Sequence, residues 1–192
     1  MHINVSAGKL NWTQRNNIRD PYNTCNVTSM IMALDYLGYE FPDGKYERPT
    51  DNLHCFMEEK ELRPTWHEEL SLATNLWMGQ FITEFSTERP IPEILNELKG
   101  GRPVVLSGDF PGYPIKRPQG PLGHIVVLVG ADWDGPDTGL PSSIIIDDPY
   151  GNTLNNWQGS GNDIVLPWNL FIEWFKYCGS PHTKWAHYFK EL

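Results

Sequence analysis

Apolar positions in the first half of the chain recur at helical spacing, and in the second half they bunch into short runs. Val27, Met30, Ile31, Leu34 and Leu37 follow the i, i+3, i+4, i+7 rhythm of one buried helix face. The spacing predicts a helix over 25–37, with Asn23 or Thr24 as its cap and Gly38 as its stop. Residues 38–53 read as a Gly/Pro/Asp loop, and 54–78 as mostly helical with a break near Pro64. Another helix is expected over 88–98, since Pro90 and Pro92 suit a first turn and Gly100-Gly101 ends the pattern. The texture then changes. Residues 102–107, 124–131 (HIVVLVGA) and 142–147 (SSIIID) read as strands, 167–177 as a helix and 184–189 as a last strand. Helices followed by a meander of strands argue for an α+β fold with an antiparallel sheet, not for alternating βαβ units.

Composition narrows the class. The chain has 192 residues, 40% hydrophobic and 20% charged, which suits one globular domain over 1–192 with a sizeable core. Fifteen basic against twenty-four acidic residues give a net charge of −9, which would repel a phosphate backbone, so no nucleic-acid partner is expected. No apolar stretch approaches the roughly 18–20 residues of a membrane helix. Residues 1–17 are polar and lack the pattern of a signal peptide, so the expected location is cytoplasmic, or outside by a route without a signal peptide. Three cysteines, Cys25, Cys55 and Cys178, are an odd count that suits a reducing compartment better than a disulfide scaffold.

Of these, Cys25 stands at the predicted start of a helix. A thiol is a useful nucleophile only as thiolate, and a helix N-terminus favours that charge. The plainer alternative is a small residue buried in helix packing. His124 follows Gly123 and opens the most apolar strand, where an imidazole could face a groove and serve as general base. The alternative there is a hydrogen-bonded core histidine. Asp147 and Asp148 follow SSIII, and a carboxylate at that strand end could orient the imidazole. Alternation puts the two on opposite faces; Asp148 is the choice, with Asp147 left open. Gln14, upstream of Cys25, could supply an amide donor to an oxyanion. Trp12, beside Gln14, is a candidate groove wall, Asn26 follows the nucleophile, and Asp109 lies in the long segment 108–123 that leads to His124. These three are candidate substrate contacts.

The stretches TQRNNIRDPYNTCNVTSMIMALDYLG, RPVVLSG, GHIVVLVG and IIIDDPYGN together resemble the bacteriocin-leader-peptidase-like family, family thirty-nine of the cysteine peptidases, in its stand-alone bacterial and phage branch. The resemblance spans roughly Trp12 to Asn152. It implies a papain-like fold with N-terminal helices packed on an antiparallel sheet, and a triad with Cys25 as nucleophile, His124 as base and Asp148 as orienting acid. Gln14 becomes the oxyanion donor. Transporter-linked members carry Gly after the cysteine, where this chain has Asn26, and hold their glutamine closer to it than the eleven positions separating Gln14 from Cys25. Both departures point away from leader cleavage. Relatives in this branch often degrade cell wall, so peptidoglycan peptides join ordinary peptides as expected substrates.

Three activities share this pattern: hydrolysis of peptide or amide bonds through a thioester, acyl transfer or deamidation on the same fold, and binding without turnover. Hydrolysis is the leading expectation. No cofactor or metal is expected. Asp132, Asp134 and Asp137 lie in DWDGPDTG, which lacks the spacing and closing Glu of a calcium loop, and His54, Cys55 and His67 lack a zinc spacing.

Overall fold

The helical rhythm that starts at Cys25 builds α1 (Cys25–Tyr36), which ends where Gly38 takes the left-handed conformation, φ 82°. A computed structural model of the chain describes residues 1–6, 9, 12–110, 123–135, 139–176 and 182–190. After α1 come α2 (Pro49–Glu59) and α3 (His67–Met78), separated by the segment that holds Pro64. Helix α2 begins earlier than the expected 54, because Pro49 fits a first helical turn.

Seven strands form one antiparallel sheet: β1 (His2–Asn4), β2 (Thr83–Pro90), β3 (Val104–Asp109), β4 (Gly123–Asp132), β5 (Ser143–Asp147), β6 (Ile164–Pro167) and β7 (Thr183–Phe189). Their order is β2-β7-β3-β4-β5-β6, with β1 paired to the far end of β4. The fold class is therefore α+β, as the sequence predicts. The meander is interrupted: the last strand inserts between β2 and β3. Residues Glu88–Pro90, expected in a helix, close strand β2 instead, and α4 (Ile91–Lys99) starts after them. The polar run TEFSTERP carries little strand signal because β2 is an edge strand, with much of its surface in solvent.

Helices cover both faces. Helices α1, α2 and α3 pack one core with Val105, Ile125, Val127, Val129 and Ile145. Helices α4 and α5 (Trp168–Trp174) pack the other with Leu106, Val126, Leu128, Ile144 and Ile146. Strand β4 is buried on both sides, which is why HIVVLVGA reads as a continuous apolar run rather than an alternation. Ile125, Val127 and Val129 face α1 and Val126 and Leu128 face the second core, which Ala131 joins beyond the register shift at Leu128–Gly130. His124 is thus on the second face, at the strand end, while Cys25 belongs to the first core. The two meet only where the sheet ends.

Candidate active site

A buried polar knot fixes the start of α1. Asn17 donates to the hydroxyls of Thr24 and Thr28, 2.9 Å each, and its carbonyl accepts from Thr50 on α2 at 2.9 Å. The first helical bond runs from Thr28 N–H to Thr24 O, so the N–H groups of Cys25 and Asn26 have no intrahelical acceptor. The first turn carries no acidic side chain, so nothing there offsets the positive end of the helix dipole. Ser29 donates to the carbonyl of Ile125 at 2.9 Å and staples α1 to β4.

Cys25 is 8% exposed. Burial pushes its thiol pKa up. The hydrogen bond and charge of His124, with the Ile125 N–H donated to the sulfur, outweigh that and hold it below the ordinary value. His124 is fully buried. Burial would lower the imidazole, but the charge and hydrogen bond of Asp148, followed by those of Cys25, raise it to about 10. The two shifts are mutual: each group favours the charged form of the other, which makes thiolate and imidazolium the favoured pair.

Behind the ring, His124 Nε2 lies 2.8 Å from Asp148 Oδ1, an oxygen that also accepts the Tyr150 N–H at 2.8 Å. This leaves Nδ1 to face the sulfur. Asp148 itself is held by its N–H, which donates to Gly161 O at 2.8 Å. That approach requires glycine, since a Cβ at 161 would lie 1.9 Å from the Asp148 carbonyl oxygen. Asp147 points elsewhere. It accepts the Tyr36 hydroxyl and the Asp163 N–H, both at 2.6 Å, and ties the end of α1 to the sheet. Its carboxyl is pushed up by burial. Two aromatic rings stand edge-on to His124, Phe110 and Trp157, each with its centroid 5.2 Å from the imidazole. They keep water from the His124–Asp148 bond, which strengthens it.

Other sequence candidates sit apart from this chain of contacts. Gln14 is fully buried. Its side-chain amide donates to Pro21 O, and its N–H donates to Pro149 O, each at 2.9 Å, so it bridges the Asp148 turn to the segment entering α1. Asn26 spends its amide on the Pro64 carbonyl and the Val27 N–H, and is 3% exposed. Trp12 donates to Asp35 at 3.1 Å and lies under Arg48. Asp35 is ten residues along α1 from Cys25, about 15 Å at the helical rise, so Trp12 does not wall the groove at the sulfur. Asp109 ends β3 opposite Gly123, half-exposed beside the strand end that carries His124. Residues 111–122 of the long segment, Asp137 and Cys178 lie outside the described residues. Asp132 accepts from Ser143 and pairs with His2, and Asp134 accepts from Ser142. Among the described residues no cluster of three His, Cys, Asp or Glu side chains could hold a metal. Phe110, Trp157, Tyr150 and Asn17 escape a reading of the sequence. For Trp157 one signal exists: a lone aromatic inside the polar run TLNNWQGSGN.

The model of the Peptidase_C39 like family matches residues 9–171, a span that holds all four candidate catalytic positions. The chain belongs to that family. Its fold is similar to a crystal structure assigned as a C39-like peptidase from Bacillus anthracis, with a TM-score of 0.64 and 19% identity, over 100% of this chain and 98% of that one. The fold is papain-like. Among curated proteins no sequence matches this one. The family is one of peptidases. No described helix is long and apolar enough to cross a membrane.

Proposed function

We propose that this C39-like protein is a cysteine peptidase that cleaves amide bonds in peptides through a thioester, with Cys25 as nucleophile, His124 as base and acid, and Asp148 as the orienting carboxylate. The observation that carries the reading is the unbroken buried series Cys25–His124–Asp148, in which Asp148 and Cys25 both favour the charged imidazole and His124 favours the thiolate. Cys25 Sγ attacks the carbonyl carbon, and negative charge collects on its oxygen. The Cys25 N–H, unpaired at the helix start, supports that charge. Gln14 acts there as a second donor if its amide turns from Pro21. The C–N bond then breaks, and the amine leaves with a proton from His124. Water, losing a proton to His124, attacks the thioester, releasing the carboxylate product and restoring the thiol. Peptidoglycan peptides are the leading substrates, which makes the protein endolysin-like.

The test is mass spectrometry of products from purified peptidoglycan and a peptide library, with Cys25→Ala as control, beside iodoacetamide labelling. Turnover lost in the variant and faster labelling of Cys25 than of Cys55 or Cys178 are expected. Unchanged turnover in Cys25→Ala, with equal labelling of the three thiols, would overturn the reading.

A further inference from the structure

Alternation along β3 sends Asp109 to the nucleophile's side of the sheet. Val105 lies in the core that α1 and Cys25 share. At Gly108 a Cβ would come within 2.9 Å of Phe110 and Phe175, which belong to the other core. Ser107 and Asp109 therefore point to the face that carries Cys25. Gly123, paired with Asp109, agrees: a Cβ there would lie 3.4 Å from Ser107 Oγ. Apart from its chain neighbours, no other described residue comes within 4 Å of that point, and Gly123 is exposed. On this face the sheet thus ends in a bare backbone floor at Gly123, with the Asp109 carboxylate across from it.

The floor adjoins the sulfur. Ser107 stands opposite Ile125, and the Ile125 N–H is donated to Cys25 Sγ. Asp109 is two residues beyond Ser107. With roughly 5 Å between paired Cα atoms and about 3.4 Å per residue along a strand, the Asp109 Cα is on the order of 10 Å from the sulfur. An extended peptide covers that distance in about three residues, and a long side chain covers part of it by itself.

The charge of Asp109 is uncommitted. The residue is half-exposed and makes no hydrogen bond or ion pair among the described residues. Acids on other strands are paired: Glu84 on β2 with Arg89, and Asp132 on β4 with His2. A carboxylate set on a sheet strand beside an open floor attracts an ammonium or guanidinium group and repels an acid. We propose that Asp109 binds a cationic side chain of the substrate, that of Lys, Arg or a diamino acid, within about three residues of the bond that Cys25 attacks. This rests on the reading of Cys25 as nucleophile and adds a specificity residue to it.

The test uses ¹⁵N-labelled Cys25→Ala protein, in which turnover cannot intervene. It is titrated at low ionic strength with acetylated Ala-Ala-X-Ala-Ala amides, X being Lys, norleucine or Glu, and the Gly123 N–H resonance is followed. The Lys peptide should bind roughly three- to fivefold more tightly than the norleucine peptide, the scale of a partly exposed ion pair, and the Glu peptide should bind most weakly. Asp109→Asn should equalise Lys and norleucine. Asp109→Lys should place the Glu peptide ahead of the Lys peptide. Equal affinity for Lys and norleucine before Asp109 is changed, a preference that survives in Asp109→Asn, or no saturable shift of Gly123 with any of the three peptides would overturn the proposal. Iodoacetamide labelling of Cys25 is measured separately on the unaltered chain, so an inert Cys25 would sink the peptidase reading and leave the binding result standing.

Discussion

Replacing Asp148 by Asn keeps an oxygen opposite His124 Nε2 and removes only the charge. The imidazole sits at about 10 against an ordinary 6.5. That difference corresponds to roughly 5 kcal/mol of preference for the protonated ring, at about 1.4 kcal/mol per pH unit. Burial opposes the preference; Asp148 is its largest source and Cys25 the next. If Asp148 supplies about half, its loss removes ~2–3 kcal/mol from the thiolate–imidazolium pair relative to the neutral pair, roughly 30- to 150-fold in their ratio. The direct assay is the rate at which iodoacetamide alkylates Cys25, measured by peptide mass spectrometry from acid to mildly alkaline pH. It needs no substrate. Asp148→Asn should slow alkylation near neutral pH by about tenfold or more and move the thiol titration upward. The Asp148 charge also acts directly on the sulfur in the opposite sense, but as the smallest influence on it. An unchanged alkylation rate and titration in a folded Asp148→Asn protein would refute an electrostatic role for Asp148 and leave it a structural residue.

Two other expectations follow from buried contacts elsewhere. Gly161→Ala must move the Asp148 backbone, because the new Cβ falls 1.9 Å from its carbonyl oxygen. A loss of roughly 2–4 kcal/mol in chemical denaturation is expected, with slower Cys25 alkylation, whereas Gly159→Ala, where a Cβ meets only open space, should cost about 1 kcal/mol for its positive φ. Similar losses at both positions would contradict this packing. His67 and His187 are buried neutral on α3 and β7, 2.8 Å apart, with Ser71 2.8 Å from His187. Burial lowers His67 to about 4 and His187 well below its ordinary value. Folded-state values below unfolded ones mean that the unfolded chain takes up protons first. Stability is then present above about pH 6.5 and lost as pH falls toward 4, by roughly 1.4 kcal/mol per unit for each group. Urea denaturation across that range should show the slope, and His67→Phe should flatten it; a flat profile in the parent protein would disprove the neutral burial.

Much of the site was legible because its signals are local. Cys25 begins a helix whose periodicity is plain over about three turns, and His124 opens a strand whose apolar run marks it as central. The fold class followed from the same patterns. Other features depended on partners far along the chain. Strands β1, β2 and β6 were missed, being short or polar edges, and the entry of β7 between β2 and β3 has no local signature. Trp157 reaches His124 only because a loop folds back across 33 positions. Trp12 is adjacent to Gln14 by two residues, yet its indole runs to the opposite end of α1.

The sequence by itself determined the elements and the chemistry available at their ends: a thiol at a helix start, an imidazole at a strand start and a pair of acids at a strand exit. Alternation along β5 set Asp147 and Asp148 on opposite faces, but it carries no information on which face meets His124. Tertiary structure decided that. Tyr36 and the Asp163 N–H capture Asp147, and the Gly161 contact turns Asp148 to the imidazole. The physical reason is reach. Periodicity records which side of an element is apolar, whereas burial of charge, and with it the shifted titration of Cys25 and His124, arises only when elements from two cores close on one another.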